Sequence, residues 1–326
     1  MKAAIVREPG KTPVFAEFDE PAPQPGQELI TVTASALSHV TKSRASGSHH
    51  TAPGDFPAVV GIDGVGRTED GGRVYFVLPE APFGGMAEKT IVEAERCIPL
   101  PDGVDDVTAA AMAIPGMSSW AAFQERAHLV RGENVVINGA TGASGRLAVQ
   151  IAKHLGAKKV IATGRDAAAL EQLKALGADV AVSLSQSAQE LETAFKKQFA
   201  AEAVHVVLDY LWGASAETMI VALAKTAEDT VPIRFVQIGA VSAATITLPS
   251  AALRSSPLVL MGSGIGSISL SAMVGAIRGV LQAVLPAKLQ IKTETVPLAE
   301  VEKTWNTATG GSRIVFAVGQ VSQAWQ

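Results

Sequence analysis

The chain has 326 residues, nearly half of them apolar and under a fifth charged, which suits about two domains with a large core and excludes global disorder. Its formal net charge of −4, with no Lys/Arg cluster, leaves no electrostatic footprint for nucleic acid. The one cysteine, Cys97, excludes an intrachain disulfide and a structural zinc site of several cysteines, and a lone thiol fits a reducing cytoplasm.

The opening MKAAIVREPG has no apolar h-region, so no signal peptide is expected. Residues 1–100 carry short β-type runs: Ala3–Val6, Glu28–Ala36, Val59–Gly66, Arg73–Val77 and Glu88–Val92. The strings Pro21–Pro25, Pro53–Pro57 and Pro79–Pro82 mark turns between them, and the whole reads as an all-β or barrel-like domain. From Asp105 the period becomes helical, over Val107–Ala113 and, after a break at Pro115–Gly116, over Ser118–Arg126.

Strands and helices then alternate. Strands are predicted at Val135–Asn138, Lys159–Ala162, Val180–Ser183, Val204–Tyr210, Arg234–Gly239 and Leu258–Gly262. Helices fall at Gly145–Leu155, Ala167–Leu176, Ser187–Phe199, Ala214–Ala224 and Ser269–Leu285. Six strands with crossover helices make a doubly wound parallel sheet. The most membrane-like run, Ile268–Leu285, holds Arg278 and is short for a span, so it reads as a buried helix. A strand Thr293–Pro297, a helix Leu298–Thr309 and a strand Arg313–Val318 revert to the first pattern. The expected domains are therefore 1–118 with 286–326, β-rich and discontinuous, and 119–285, α/β.

The segment Asn134–Arg165 reads as a strand, a glycine-punctuated turn, a helix and a second strand, the first βαβ unit of a dinucleotide-binding sheet. Ala140 stands where a first glycine often sits, followed by Gly142 and Gly145, with Gly139 upstream. Gly142 would let backbone approach a pyrophosphate, and Gly145 would let the helix pack close to its strand. The loop Ala140, Thr141, Gly142, Ala143, Ser144, Gly145 would then hold the diphosphate at a helix N-terminus. The alternative is a glycine turn in an ordinary α/β domain. At the end of the second strand, Gly164 leaves room and Arg165 offers a charged fork, with Lys158 and Lys159 just before, which favours NADPH over NADH. Asp166 is expected to cap the next helix, and Arg165 could instead be a solvated surface charge.

Several motifs together resemble the medium-chain dehydrogenase/reductase superfamily: Val59–Gly66 (VVGIDGVG), Phe83–Glu88 (FGGMAE), Ala109–Trp120 (AAAMAIPGMSSW), Gly139–Gly145, and the ending Gly310, Gly311, Arg313. The resemblance covers essentially the whole chain and implies a Rossmann sheet plus a β-rich GroES-like catalytic domain. Zinc alcohol dehydrogenases of that superfamily have a cysteine near Ala34–Thr41 and a histidine in the glycine segment. Here Ser38 and Ile62 stand there, so the chain is similar to the zinc-independent quinone oxidoreductase branch, although Asp63 keeps an acid beside the lost histidine. His39, His49 and His50 read as a turn residue and a solvated loop pair rather than a metal site, so no metal is expected.

The resemblance implies hydride transfer from NADPH to a quinone, with an enone or alkenal double-bond reductase as the alternative on the same scaffold. A cofactor-binding protein without turnover and a zinc alcohol dehydrogenase rank below these. Ser38, His39 and Thr41 lie at the family's active-site turn and would supply donors to a developing oxyanion; His39 could equally cap a turn. Gly239, Ala240 and Val241, then Gly262, Ser263 and Gly264, would follow the cofactor along the carboxyl edge of the sheet. Asp209, at the end of the fourth strand, would lie on the same edge or could instead be a turn residue. Arg313 would hold cofactor or close the domain cleft, or make a surface salt bridge, and Phe83 and Trp120 would wall a pocket or belong to the core. Pro257 suits a sheet edge, and pairing of Leu258–Met261 between copies implies a homodimer.

Overall fold

The computed structural model describes residues 1–49, 52, 54–228, 230–307 and 311–319, so His50 and Gly310 lie outside it. The chain forms two compact units, Met1–Ile114 with Ile291–Gln326, and Pro115–Gln290.

In the first unit the β-type runs build two sheets. A three-stranded one orders Val14–Glu17, Lys2–Val6 and Ala58–Val59. A seven-stranded one runs Thr293–Pro297, Arg313–Ala317, Gln27–Ala36, Asp63–Arg67, Arg73–Val77 and Cys97–Pro99, with Lys89–Glu93 also paired to Gln27–Ala36. The run expected over Val59–Gly66 is thus two strands on different sheets. Gly61 divides them at φ +104, where a Cβ would stand 2.7 Å from the Met86 amide nitrogen, so the chain turns where only glycine fits. The tail returns as expected, Arg313–Ala317 lying parallel to Thr293–Pro297 and antiparallel to Gln27–Ala36. Its helix is shorter than its periodicity suggests: a 3₁₀ turn Leu298–Glu300 and a helical turn Val301–Thr304, burying Leu298, Val301 and Trp305 beside Phe316.

The expected break at Pro115–Gly116 does not occur. One helix runs Asp106–Ala121 with Pro115 inside it, and the irregularity comes later, as a π turn over Ala122–Arg126 closed by the Ala127 amide on the Ala122 carbonyl at 2.8 Å. Close packing favours continuity: a Cβ on Gly116 would stand 2.7 Å from Val280 Cγ1.

The second unit carries a six-stranded, wholly parallel sheet. Its order is Val180–Ser183, Lys159–Gly164, Asn134–Asn138, Val206–Asp209, Ile233–Gln237 and Leu258–Gly262. The central strands are continuous apolar runs because helices cover both faces. Stop and start signals act locally: Asp166 accepts from the Ala169 amide, Ser269 from Ala272, and Ser187 with Glu190 forms a reciprocal capping box. The apolar run near residue 270 is the helix Leu270–Ala283, with one face buried. No helix among the described residues is long and apolar enough to cross a membrane.

Trp120 belongs to this packing. Its ring lies on Gly279, where a Cβ would meet indole atoms at 2.5–2.7 Å, and 5.9 Å from the His154 ring. Gly275, one turn earlier on the same helix, is exposed and a Cβ there would meet nothing within 4 Å. The same substitution therefore has opposite signs at these sites. Gly275→Ala is expected to stabilise by about 0.5–1 kcal/mol through helix propensity, and Gly279→Ala to destabilise by about 1–3 kcal/mol through overpacking. Urea unfolding of both variants checks this, and equal shifts would contradict it.

Candidate functional site

The glycine turn rests on a buried polar circuit at the ends of three neighbouring strands. Asn138 closes the first; its Nδ2 donates to Asp209 Oδ1 at 2.8 Å and to Ser215 Oγ at 3.0 Å. The Thr163 hydroxyl donates to Asn138 Oδ1 at 2.7 Å and accepts from the Gly139 amide at 3.1 Å. The Ala140 amide reaches the Thr163 carbonyl at 2.8 Å. Asp209 also accepts from the Leu211 and Trp212 amides, and burial raises its carboxyl above the ordinary range against the pull of those donors. Asp209 ends the strand Val206–Asp209, and its carboxylate holds the turn that follows.

The turn so fixed fits a diphosphate. Gly139 has φ +88, and its missing side chain makes room for Leu211. Gly145 packs against the turn; a Cβ there would stand 2.4 Å from the Gly139 carbonyl oxygen. Gly142 precedes the helix Ala143–His154 with no side-chain cap, and a Cβ on it would meet nothing within 4 Å. The helix thus begins with uncapped N–H groups beside open space, which suits an anion.

At the end of Lys159–Gly164, the buried Gly164 takes the Thr141 side chain where a Cβ would be, 2.4 Å from Thr141 Cγ2. Arg165 is exposed, and Asp166 is turned to its capping role. Lys158 reaches Glu202 at 3.6 Å. Arg146, unnoticed in the sequence, donates from Nε to the Thr141 carbonyl at 3.1 Å and from Nη2 to Gln172 Oε1 at 3.0 Å. Its signal was only its position, directly after Gly145.

Further along the carboxyl edge, the Gly239 amide bonds the Asp209 carbonyl at 3.1 Å, and its Cα lies too close to the Tyr210 carbonyl for a side chain. Ala240 and Val241 follow, both exposed. The Ser263 amide bonds Gln237, Arg126 Nε donates to the Gly262 carbonyl at 2.8 Å, and Gly264 is exposed. A cavity of about 370 Å³ lies among Trp212, Phe235, Gln237, Leu260 and Met261; of the candidates only Gly262 lines it.

In the first unit, Ser38 caps the short helix His39–Ala45. Its hydroxyl accepts from the Thr41 amide at 2.9 Å and bonds the Thr41 hydroxyl at 2.8 Å, both residues being buried. His39 is exposed at the head of that helix. Ile62 is buried in the core. Asp63 is wholly buried and accepts the Tyr75 hydroxyl at 2.7 Å. Burial pushes its carboxyl up to about 6, opposed by that hydrogen bond and by the Arg313 charge. Arg313 is no surface ion pair: its Nε and Nη2 are buried without a partner among the described residues, as is Asp63 Oδ1. Phe83 packs edge-on to Phe18 at 6.0 Å. Among the described residues no group of three or more His, Cys, Asp and Glu gathers as metal ligands.

A family described as zinc-binding dehydrogenase matches residues 143–282, a span that includes neither Ser38 nor Ile62. A probable NADPH-dependent quinone reductase of Emericella nidulans is 29% identical over 93% of this chain and 96% of its own length. By these likenesses the chain is similar to members of the medium-chain dehydrogenase/reductase superfamily. The likeness over nearly the whole chain is to quinone reductases, the branch its sequence resembles. The quinone oxidoreductase of Thermus thermophilus, solved also with NADPH, superposes with a TM-score of 0.79 over 97% of this chain and all of its own, at 25% identity. A 2-methylene-furan-3-one reductase of Solanum lycopersicum is 31% identical, but over 49% of this chain and 45% of that protein.

The Asp63 environment has a pH signature. The folded protein holds the Asp63 proton more tightly than the unfolded chain, where the carboxyl titrates near 3.8. Protonated Asp63 therefore favours folding, and that contribution is lost as pH rises from about 4 through about 6. The loss is roughly 3 kcal/mol. In Asp63→Asn it is expected to vanish, so the stability difference between variant and parent should grow in the variant's favour from pH 4 to pH 7. Parallel stability curves in chemical denaturation would refute this.

Proposed function

We propose that this oxidoreductase transfers hydride from NADPH to quinones without a zinc ion. The observation that carries the second half is the employment of Ser38 and Ile62. At the two positions where zinc alcohol dehydrogenases of the superfamily place ligands, this chain has a hydroxyl committed to a helix cap and a buried hydrocarbon. Neither offers the nitrogen or thiolate that tetrahedral zinc requires. The first half is supported by the uncapped helix start at Gly142, the cations at 146 and 165, and full-length likeness to an NADPH-dependent quinone reductase.

NADPH, when bound, supplies the hydride; the loop Ala140–Gly145 would hold its diphosphate, and Gly164 with Arg165 its adenosine end. The Gly239–Val241 and Gly262–Gly264 turns are suited to the nicotinamide half, since both leave the carboxyl edge of the sheet. Hydride addition to a quinone leaves negative charge on oxygen, and one proton completes the hydroquinone. His39 is the donor we favour, because its imidazole is exposed whereas the Ser38 and Thr41 hydroxyls are buried and already bonded to each other. Aromatisation drives quinone reduction, so one donor suffices.

An enone reductase is the second reading, favoured by the likeness of half the chain to 2-methylene-furan-3-one reductase. Oxidation of NADPH and NADH by chelator-treated protein, with one quinone and one simple enone as acceptors, separates them. Turnover of the quinone with NADPH, unaffected by chelator, is expected; turnover of the enone alone would transfer the assignment to the second reading. Loss of activity on chelation, restored by zinc, would end the zinc-free proposal.

We further propose a cytoplasmic homodimer joined along Leu258–Gly262. That strand ends the six-stranded sheet, and Val259 on it and Ile265 just beyond are 45% and 37% exposed. Size-exclusion with light scattering should give twice the chain mass, and Val259→Lys should halve it. A monomeric parent protein would overturn the assignment.

A further inference from the structure

We propose that Arg146 is a second determinant of coenzyme choice, acting with Arg165 to bracket the 2′-phosphate of NADPH. This rests on the reading of residues 138–165 as the diphosphate and ribose site. Arg146 lies in the first turn of the helix Ala143–His154. Long helical side chains lean toward the N-terminus of their helix, which here means back over the glycine turn. Its Nε accordingly meets the Thr141 carbonyl, and its Nη2 crosses to Gln172 on the helix Ala167–Ala175. Thr141 in turn has its methyl against the Cα of Gly164, the residue before Arg165. The guanidinium is therefore held beside the strand end, between the phosphate turn and the helix that follows Arg165.

The charge there is left over. Both acceptors of Arg146 are neutral, and none of the ion pairs among the described residues includes Arg146 or Arg165. The nearby acid, Asp166, caps the next helix through Oδ1 and makes no ion pair with either arginine among the described residues. A guanidinium has five N–H donors, so two hydrogen bonds fix its plane and leave others for a ligand. A phosphate monoester is the ligand that matches one preset cation, Arg146, with a second, exposed one, Arg165, next in sequence to the strand end. The ribose hydroxyl of NADH carries no charge for them to meet. The competing role is a staple between two helices, which would act on stability and on all nucleotides alike.

Calorimetric titration distinguishes these, using NADPH, NADH, 2′,5′-ADP and AMP against the full chain. Arg146→Gln is expected to weaken NADPH and 2′,5′-ADP by about ten- to hundredfold while changing NADH and AMP by less than about twofold. Gln172→Ala removes the tether but keeps the charge, and should leave the NADPH-to-NADH ratio within about threefold. If Arg146→Gln folds poorly, Arg146→Lys and the salt dependence of the parent protein carry the test: 2′,5′-ADP binding should weaken with salt much more steeply than AMP binding. An equal loss for all four nucleotides, or an unchanged ratio in a parent protein that does prefer NADPH, overturns the role of Arg146 alone. A parent protein that binds neither NADPH nor 2′,5′-ADP overturns the site reading beneath it.

Discussion

The arrangement of the nucleotide unit depends on one buried side chain, Asn138. It is the last residue of a central strand, and its amide spends both ends on neighbours: the oxygen on Thr163, the nitrogen on Asp209 and Ser215. These partners stand at the carboxyl ends of the two flanking strands and at the start of the helix Gly213–Thr226. In a parallel sheet the ladder sets the register of the strands, but it does not by itself fix how the chain turns beyond their ends. A satisfied polar circuit does, because every displaced partner would be left buried and unpaired, at a cost of about 1–3 kcal/mol per group. The circuit pins the Gly139 turn through Thr163 and the Leu211–Trp212 turn through Asp209. Trp212, a bulky residue at φ +59, is held in that conformation by its two bonds to the Asp209 carboxylate.

This explains what the sequence could and could not disclose. All six strands of the parallel sheet were legible to within about two residues, since a buried strand between helices writes itself as a short apolar run. The glycine turn was legible because its glycines answer backbone demands: a positive φ at Gly139 and a close approach at Gly145. The long-range partners were not. Asn138 and Thr163 are 25 residues apart, Asn138 and Asp209 71, and no local pattern marks a polar residue that ends a strand as one that completes a circuit. Arg146 was missed for a similar reason: an arginine on an amphipathic helix looks solvated until its neighbours in space are known.

The misreadings have physical causes as well. Pro115–Gly116 carries the local signature of a helix end, but Gly116 lets the helix settle on Val280, and tertiary packing outweighs the lost hydrogen bond. Trp120 carries no sign in the sequence of the helix it packs on, and only the bare Gly279 opposite shows that its half-buried indole lies against that helix. At Val59–Gly66 an unbroken β-type run hides a change of sheet, because Gly61 supports alternation and a turn with the same letter.

The first unit holds its polar groups by local pairing against the cost of burial. Ser38 caps a helix, Ile62 adds to the core, and Asp63 beside it is acidic, buried and bonded to Tyr75. An ionised carboxylate there faces a desolvation penalty that one phenol and the charge of Arg313 offset only in part, which is why its proton is held up to about 6. Arg313 bears the complementary strain, with two N–H groups buried and unanswered within the unit. Each side chain makes the other less costly, so removing either would expose the full burial penalty of the survivor. A like-sized hydrocarbon at Asp63 would strand both the Tyr75 hydroxyl and the Arg313 cation. The acid therefore has a structural reason for its place that is independent of any ligand.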